Sequence, residues 1–338
     1  MELYAGIDLH SNNNYLAIID EHSQKVFGKK LKNSMPLILT ILEPYKKELA
    51  GIVVESTYNW YWLVDGLQEH GYKLHLANPS AIKQYEGLKH TDDKWDSLWL
   101  AHLLKLGILA EGYIYPKKTR PLRDMLRRRM LFVNHRTADI LSFQSMVTRT
   151  TSNQISGNDI KKLKESDAER IFTDPDLIFT AKRYINIIAS LTVQIKIIEK
   201  HVKDRLKLSE NFKCLLTIPG IGYILGMVIM LEAGDISRFE KVGNYSSYCR
   251  CVKSERFSNG KKKGSGNSKN GNRYLSWAYV EAATFATRFC DPARKFYQRK
   301  SAKSNETIAK KALSAKLARA SYYMMRDQVP FNSDMLFA

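Results

Sequence analysis

The chain has 338 residues, enough for two or three domains, and 44% of them are hydrophobic, which excludes a largely disordered protein. Lysine and arginine number 53 against 34 acidic residues, and the formal charge of +19 favours a polyanionic partner. Four cysteines without a CxxC pair exclude a small disulfide scaffold and indicate a reducing, cytoplasmic environment. Because no uncharged apolar run approaches 18 residues, no membrane span is expected.

The N-terminal third alternates short apolar runs with polar turns and amphipathic stretches. Three consecutive strands are predicted first, and helices and strands then alternate, giving the order βββαβαβα. This order is typical of ribonuclease H-like folds, so an α/β fold of that class is predicted. The strands are at 2–10, 14–20, 25–31, 51–55 and 72–76, and the helices at 36–49, 59–70 and 95–106.

Acidic residues stand at the ends of two predicted strands and at the start of a helix. Asp8 and Glu55 end strands, and the helix start carries Asp92, Asp93 and Asp96. An unpaired buried charge is costly, so acids at strand ends indicate a partner. Asp93 and Asp96 (i,i+3) share one helix face, and so do Asp92 and Asp96 (i,i+4). Acids also occur at helix starts that bind nothing, because they interact favourably with the helix dipole. We favour the interpretation that these acids hold two Mg²⁺ ions, which would stabilise the charge that develops in a reaction at a phosphodiester bond.

The middle of the chain is basic and helical. A long helix is predicted from Pro121 to about Thr150 and a second from Pro175 to Leu208, with a break at 152–157. Two long helices joined in this way predict an antiparallel helical arm. Arg127, Arg128 and Arg129 occupy consecutive helical positions, so at least two should face solvent or nucleic-acid phosphates.

The last third carries a possible phosphate-binding turn and a basic loop. Leu216 to Gly222 is typical of a helix-hairpin-helix turn, although an ordinary tight turn explains it equally well. Residues 253–273 are predicted to form a loop rich in glycine, serine and lysine, followed by helices at 274–289, 292–300 and 304–326. Its candidate nucleic-acid-binding residues are Lys261, Lys262, Lys263, Lys269 and Arg273, and its candidate nucleophiles are Ser254, Ser258, Ser265 and Ser268.

Several short motifs, in their order along the chain, resemble those of insertion-sequence transposases of the IS110 type, which are bridge-RNA-guided recombinases. They are Gly-Ile-Asp at 6–8, Val-Glu-Ser-Thr at 54–57, Asn-Pro at 78–79, Thr-Asp-x-x-x-Asp at 91–96, Ile-Pro-Gly-Ile-Gly at 218–222 and Ser-Lys-Asn-Gly at 268–271. The resemblance covers essentially the whole chain. It implies a RuvC-like catalytic domain at 1–115, a basic helical arm at 116–208 and a mainly helical C-terminal transposase domain at 209–338.

The resemblance also implies site residues and partners. The family's D-E-D-D quartet falls on Asp8, Glu55, Asp93 and Asp96, because the family spacing D-x-x-D selects Asp93 over Asp92. Its serine nucleophile best matches Ser258, although Arg250 to Lys253 stand where relatives often have Gly-Leu-Thr-Pro. A covalent phosphoserine link, a homo-oligomer, donor and target DNA, and a non-coding guide RNA that pairs with both DNAs are implied.

Two other classes of function remain open from the sequence. One is a RuvC-like Holliday-junction resolvase or nuclease, in which metal-activated water attacks the phosphodiester and the serine is idle. The other is a basic RNA-binding protein whose acids are structural. A covalent protein–DNA adduct separates the recombinase from the nuclease, and loss of strand transfer with RNA binding intact separates both from the third class.

Overall fold

The computed structural model describes residues 1–82, 92–205, 210–252, 255–265 and 270–337. They divide into two units, 1–117 and 118–338, each with its own buried apolar cores. The first unit is a mixed α/β sheet with helices and the second is mostly helical. No helix among these residues is both long enough and apolar enough to span a membrane.

The described part of unit 1 consists of strands and helices in the predicted order, followed by one additional short strand. They are β1 (Leu3–Leu9), β2 (Asn13–Asp20), β3 (Lys25–Lys32), α1 (Met35–Leu42), β4 (Leu49–Glu55), α2 (Tyr61–Glu69), β5 (Leu74–Ala77), α3 (Asp93–Lys105) and β6 (Glu111–Gly112). The strand order is β3-β2-β1-β4-β5-β6, in which β1, β4 and β5 are parallel neighbours. The other three strands pair antiparallel.

The predicted strands are confirmed to within two residues, and two predicted helices have different ends. The helix predicted at 36–49 ends at Leu42, and a short 3-10 turn, Glu43–Tyr45, follows it. Pro44 lies in that turn and has no backbone N–H to continue the α-helix. The helix predicted at 95–106 begins at Asp93 instead, because the Asp92 side chain caps it.

Alternation along β1 sends its side chains to two faces of the sheet. Ile7 and its odd-numbered neighbours pack with apolar residues of α1 and α2 in one core. Gly6 and Asp8 point to the other face, where α3 lies. A Cβ on Gly6 would come within 2.0 Å of the Ser97 carbonyl oxygen of α3, so the two backbones are in direct contact there. This close approach brings the start of α3 to the face of the sheet that carries Asp8.

Unit 2 begins with two long helices, α4 (Arg120–Thr151) and α7 (Pro175–Arg205), separated by short helical turns α5 (Gly157–Ile160) and α6 (Ala168–Ile171). Side-chain pairs join Arg129 to Glu199, Arg136 to Thr192 and Ser142 to Tyr184. Since residue numbers fall along α7 as they rise along α4, the two helices are antiparallel. The predicted helical arm is confirmed.

The rest of unit 2 packs further helices around a buried core that contains Tyr245 and Tyr279, whose hydroxyls lie 2.6 Å apart. The helices are α8 (Glu210–Leu216), α9 (Tyr223–Ala233), α10 (Val242–Tyr248), α11 (Arg273–Phe289), α12 (Asp291–Lys303), α13 (Glu306–Asp327) and α14 (Ser333–Phe337). Between α8 and α9, Gly220 has a φ of +96°, and a Cβ there would lie 2.5 Å from the Ala282 carbonyl oxygen of α11. Packing against α11 therefore accounts for the glycine of this turn.

The prediction of an irregular loop at 253–273 is wrong for residues 255–265, which form a β-hairpin. Strand β7 (Glu255–Ser258) pairs antiparallel with β8 (Lys261–Ser265). Asn259 and Gly260 form the turn with φ values of +49° and +70°. Asparagine followed by glycine favours this two-residue turn, because both residues tolerate positive φ.

Candidate active site: a carboxylate cluster at the end of the sheet

Asp8 and Glu55 lie side by side at the carboxyl ends of two parallel strands. The register places Ile7 beside Val54, so the next residue on each strand is an acid. Asp8 is 3% exposed, and its side chain is hydrogen-bonded to Glu55. Burial, this hydrogen bond and the charge of Asp8 raise the pKa of Glu55 to about 7. The Glu55 carboxyl therefore gains and loses its proton around neutral pH.

Helix α3 supplies the other two acids of the quartet. The Asp92 carboxylate accepts a hydrogen bond from the Trp95 backbone N–H at 2.7 Å, so Asp92 serves as the cap. Asp93 and Asp96 lie in the first turn. Burial raises the pKa of Asp8 and Glu55, and the charge of Asp96 adds to this rise. The Asp96 Oδ1 atom is buried without a hydrogen-bond partner. A buried carboxylate oxygen without a partner is costly unless a cation completes it.

His10 joins the cluster, and sequence reasoning missed it. Its Nε2 lies 3.2 Å from Asp8 Oδ2 and 3.1 Å from Asp93 Oδ1. Asp93 also pairs with Lys30 Nζ at 3.2 Å. Burial raises the pKa of Asp93, but the hydrogen bonds from His10 and Lys30 outweigh this effect and lower it. A histidine two residues after a strand-end acid, and so on the same side of an extended chain, was the available signal.

Two asparagine side chains hold the backbone at His10 in place. Asn33 Nδ2 and Asn59 Nδ2 each donate to the His10 carbonyl oxygen at 3.0 Å. Thr57 Oγ1 in turn donates to Asn59 Oδ1 at 2.9 Å. Since Asn59 and Thr57 follow β4, these bonds tie the segments after β1 and β4 together. The separation between Asp8 and Glu55 is thereby fixed.

The donor set fits a divalent cation that prefers oxygen ligands. Four carboxylates converge, one has an unpartnered buried oxygen, and burial and the neighbouring acids raise the pKa of Glu55. Ligand atoms of Asp8, His10 and Asp93 all lie within 4.8 Å of one another. A divalent cation would relieve the repulsion among the four acids and displace the Glu55 proton.

Ser258, the predicted nucleophile, lies in unit 2 at the end of β7 and is exposed next to the Asn259-Gly260 turn. Among the other loop serines, Ser265 ends β8, whereas Ser254 and Ser268 lie outside the described residues. The hairpin therefore presents the Ser258 hydroxyl to solvent on a two-stranded support.

The predicted basic residues of this region are also exposed where the structure describes them. Lys261, Lys262 and Lys263 lie on β8, and Lys262 pairs with Glu255 at 2.7 Å. Arg273 begins α11 and donates to the Tyr274 hydroxyl at 3.1 Å. Lys269 lies outside the described residues.

Of the three consecutive arginines, which were expected to face solvent or phosphate in at least two cases, two pair with acids of neighbouring helices. Arg127 donates through Nη2 to the buried Glu232 of α9 at 2.8 Å, and Arg129 donates to Glu199 of α7 at 2.6 Å. The Arg129 side chain is only 16% exposed. Helix α4 packs against other helices on two sides, and each side provides an acid. Arg128 alone of the three is exposed.

Comparison with known proteins bears on both units. Residues 5–151 match a model of DEDD transposases of the IS110 type, and residues 212–298 match the Transposase IS116/IS110/IS902 family. The chain is 21% identical over 294 residues to the transposase for insertion sequence element IS1111A of Coxiella burnetii, covering 82% of this chain and 76% of that protein. The chain therefore carries transposase domains of the IS110/IS116/IS902 type.

Proposed function

We propose that this transposase is a guided recombinase, in which Asp8, Glu55, Asp93 and Asp96 hold Mg²⁺ and Ser258 attacks DNA. The observation that carries the proposal is the convergence of four carboxylates around the unpartnered Asp96 Oδ1. The sheet of unit 1, a three-strand meander followed by two parallel strands, supports a RuvC-like, ribonuclease H-type domain.

Bound Mg²⁺ would supply electrostatic stabilisation of the charge that develops on the scissile phosphate. Glu55 gives up its proton, and the four acids present oxygen ligands. Asn33 and Asn59 hold the His10 backbone, so the acids after β1 and β4 keep their spacing. Lys30 and His10 hold Asp93 in its ionised form through their hydrogen bonds.

Ser258 would form the covalent intermediate. Its Oγ–P bond forms while the bond from phosphorus to one strand's oxygen breaks. The hydroxyl proton passes to a base, and the leaving oxygen takes up a proton. The phosphoserine link conserves the phosphodiester until the exchanged strand attacks it and releases the serine. The exposed position on a lysine-bearing hairpin favours approach to a phosphate backbone.

Guidance by a bridge RNA and action as a homo-oligomer belong to the same proposal. The net charge of +19 supports binding of polyanions, and pairing between guide and DNA would provide sequence choice. The matches to transposase domains support donor and target DNA as the substrates.

The test is trapping of the covalent adduct. Wild-type protein, guide RNA, DNA and Mg²⁺ are quenched in denaturant, and the modified residue is mapped by mass spectrometry. We expect an adduct on Ser258 that is absent in Ser258→Ala and in Asp8→Asn, while both variants still bind nucleic acid. The exposed Ser304 provides the matched control, because Ser304→Ala should keep the adduct. DNA cleavage without any serine adduct would support the water-using nuclease and overturn the serine mechanism.

A further inference from the structure

A cavity of about 360 Å³ lies between α4 and the first turn of α11 in unit 2. Arg127, Arg128 and Asn134 of α4 line it together with Arg273 and Tyr274 of α11. Ligand cavities begin at about this size, and one nucleotide is a ligand of comparable volume. Its walls therefore combine cationic and aromatic side chains in a recess of suitable dimensions.

The three arginines have different roles in this cavity. Arg127 is neutralised by Glu232, and its guanidinium lies 4.2 Å from the centre of the Tyr274 ring. Arg273 lies 5.0 Å from the same ring centre and donates to the Tyr274 hydroxyl. Within the described part of the chain, neither Arg128 nor Arg273 forms an ion pair. Two cationic heads thus remain for a ligand, and Tyr274 orients one of them.

The charges of the cavity favour an anion. Because Arg127 is paired with Glu232, Asp124 contributes one negative charge against Arg128 and Arg273. Asp124 also lies 3.9 Å from Arg123, a residue outside the lining. Guanidinium groups match phosphate oxygens with two parallel hydrogen bonds, which makes arginine the typical residue for phosphate recognition. A phosphate between Arg128 and Arg273 would provide a counter-charge and hydrogen-bond acceptors for both guanidinium groups.

The position of the cavity connects it to the segment that carries Ser258. Asn272, which precedes Arg273, caps α11 and donates to Glu232 at 2.7 Å. Arg250 donates to the Gly271 carbonyl oxygen at 2.9 Å. Arg250 and Gly271 are therefore tied to each other, and Asn272 is fixed to Glu232 next to Arg273 of the cavity lining.

We propose that this cavity receives one nucleotide of a single strand, with its phosphate held by Arg128 and Arg273. The proposal rests on the proposed function, since a transposase exposes single strands during exchange. A duplex presents its phosphates on a convex surface, whereas a nucleotide of a single strand can enter a recess. Single-stranded DNA and single-stranded RNA share this chemistry.

The test uses fluorescein-labelled oligothymidylate and oligouridylate of about ten nucleotides, with a duplex of the same length for comparison. Fluorescence anisotropy across a series of salt concentrations gives the affinity and its salt slope. The double variant Arg128→Gln, Arg273→Gln should bind a single strand about tenfold more weakly, with a slope reduced by about 1.4 for two lost contacts. The strand that shows this loss, DNA or RNA, identifies the ligand.

Arg149, exposed near the end of the same helix, gives a matched control for the loss of one positive charge. Arg128→Gln should weaken single-strand binding clearly more than Arg149→Gln does. Tyr274→Ala should weaken binding more than Tyr274→Phe, because the first removes both the ring and the hydroxyl that contact Arg273 and the second removes the hydroxyl alone. Equal losses for Arg128→Gln and Arg149→Gln, or an equal loss for the duplex, would overturn the proposal. This binding measurement does not require transposition, so its outcome does not depend on the outcome of the adduct test.

Discussion

Glu55 is half-buried and Glu232 is buried, and their surroundings affect the pKa values of the two carboxyls in opposite ways. Burial and neighbouring acids raise the pKa of Glu55 to about 7. Burial also raises the pKa of Glu232, but hydrogen bonding to Arg127 and the charges of Arg123 and Arg127 outweigh it and lower the pKa. The acid without a full set of cationic partners belongs to the proposed metal site. The fully paired acid is structural, and it joins α4, α9 and the start of α11.

This contrast predicts the largest loss of stability at Glu232. Glu232→Gln leaves Arg123 and Arg127 without a buried counter-charge, and breaking such a cluster costs about 3–5 kcal/mol. The free energy of unfolding, measured by urea denaturation, reports the change. Arg128→Gln on the same helix should stay within about 0.5 kcal/mol of wild type, because the side chain is exposed. A loss below about 1 kcal/mol for Glu232→Gln would contradict the structural role.

The next largest loss of stability is expected on replacing Gly6, where α3 packs against β1. Gly6→Ala places a methyl group against the Ser97 carbonyl oxygen of the helix backbone, and overpacking of this kind costs about 3 kcal/mol. Because α3 carries Asp93 and Asp96, Mg²⁺ affinity should fall as well. Gly112→Ala is the control, since a Cβ there meets its nearest neighbour at an ordinary 3.5 Å. A Gly6→Ala protein with wild-type Mg²⁺ affinity would show that α3 is positioned by other contacts.

A smaller change in the free energy of unfolding, a gain instead of a loss, is expected when Glu55 is replaced. Its pKa is raised from 4.5 to about 7 in the folded state, so its favourable contribution is complete at low pH and is lost as pH rises through about 7. Above that pH the metal-free protein carries the cost of the ionised acid. Glu55→Gln should therefore raise the metal-free unfolding free energy by about 1–2 kcal/mol at about pH 8 and change it little at about pH 5. Thermal denaturation in a chelator measures this, and destabilisation at the higher pH would refute it.

Local patterns account for the parts that the sequence predicted well. Strand alternation and the positions of Asp8, Glu55, Asp93 and Asp96 at element ends are properties of a few adjacent residues. The Asn259-Gly260 turn is equally local, and its hairpin was a predictable feature that composition obscured. The partners of Arg127 and Arg129 lie 105 and 70 residues away, so only the tertiary packing reveals those pairs. Likewise, contact between Gly6 and Ser97 depends on the approach of α3 rather than on any motif.

Proton release on Mg²⁺ binding tests the carboxylate site most directly. Isothermal titration calorimetry in two buffers of different ionisation enthalpy gives the number of protons released per ion. Because Glu55 retains a proton near neutral pH, release should approach one at about pH 6 and fall toward zero at about pH 8.5. Asp96→Asn should lower the affinity at least about tenfold, since it removes the carboxylate with the unpartnered oxygen. Binding of Mg²⁺ with no proton release at any pH and no change in Asp96→Asn would contradict the assignment of these acids as the metal site.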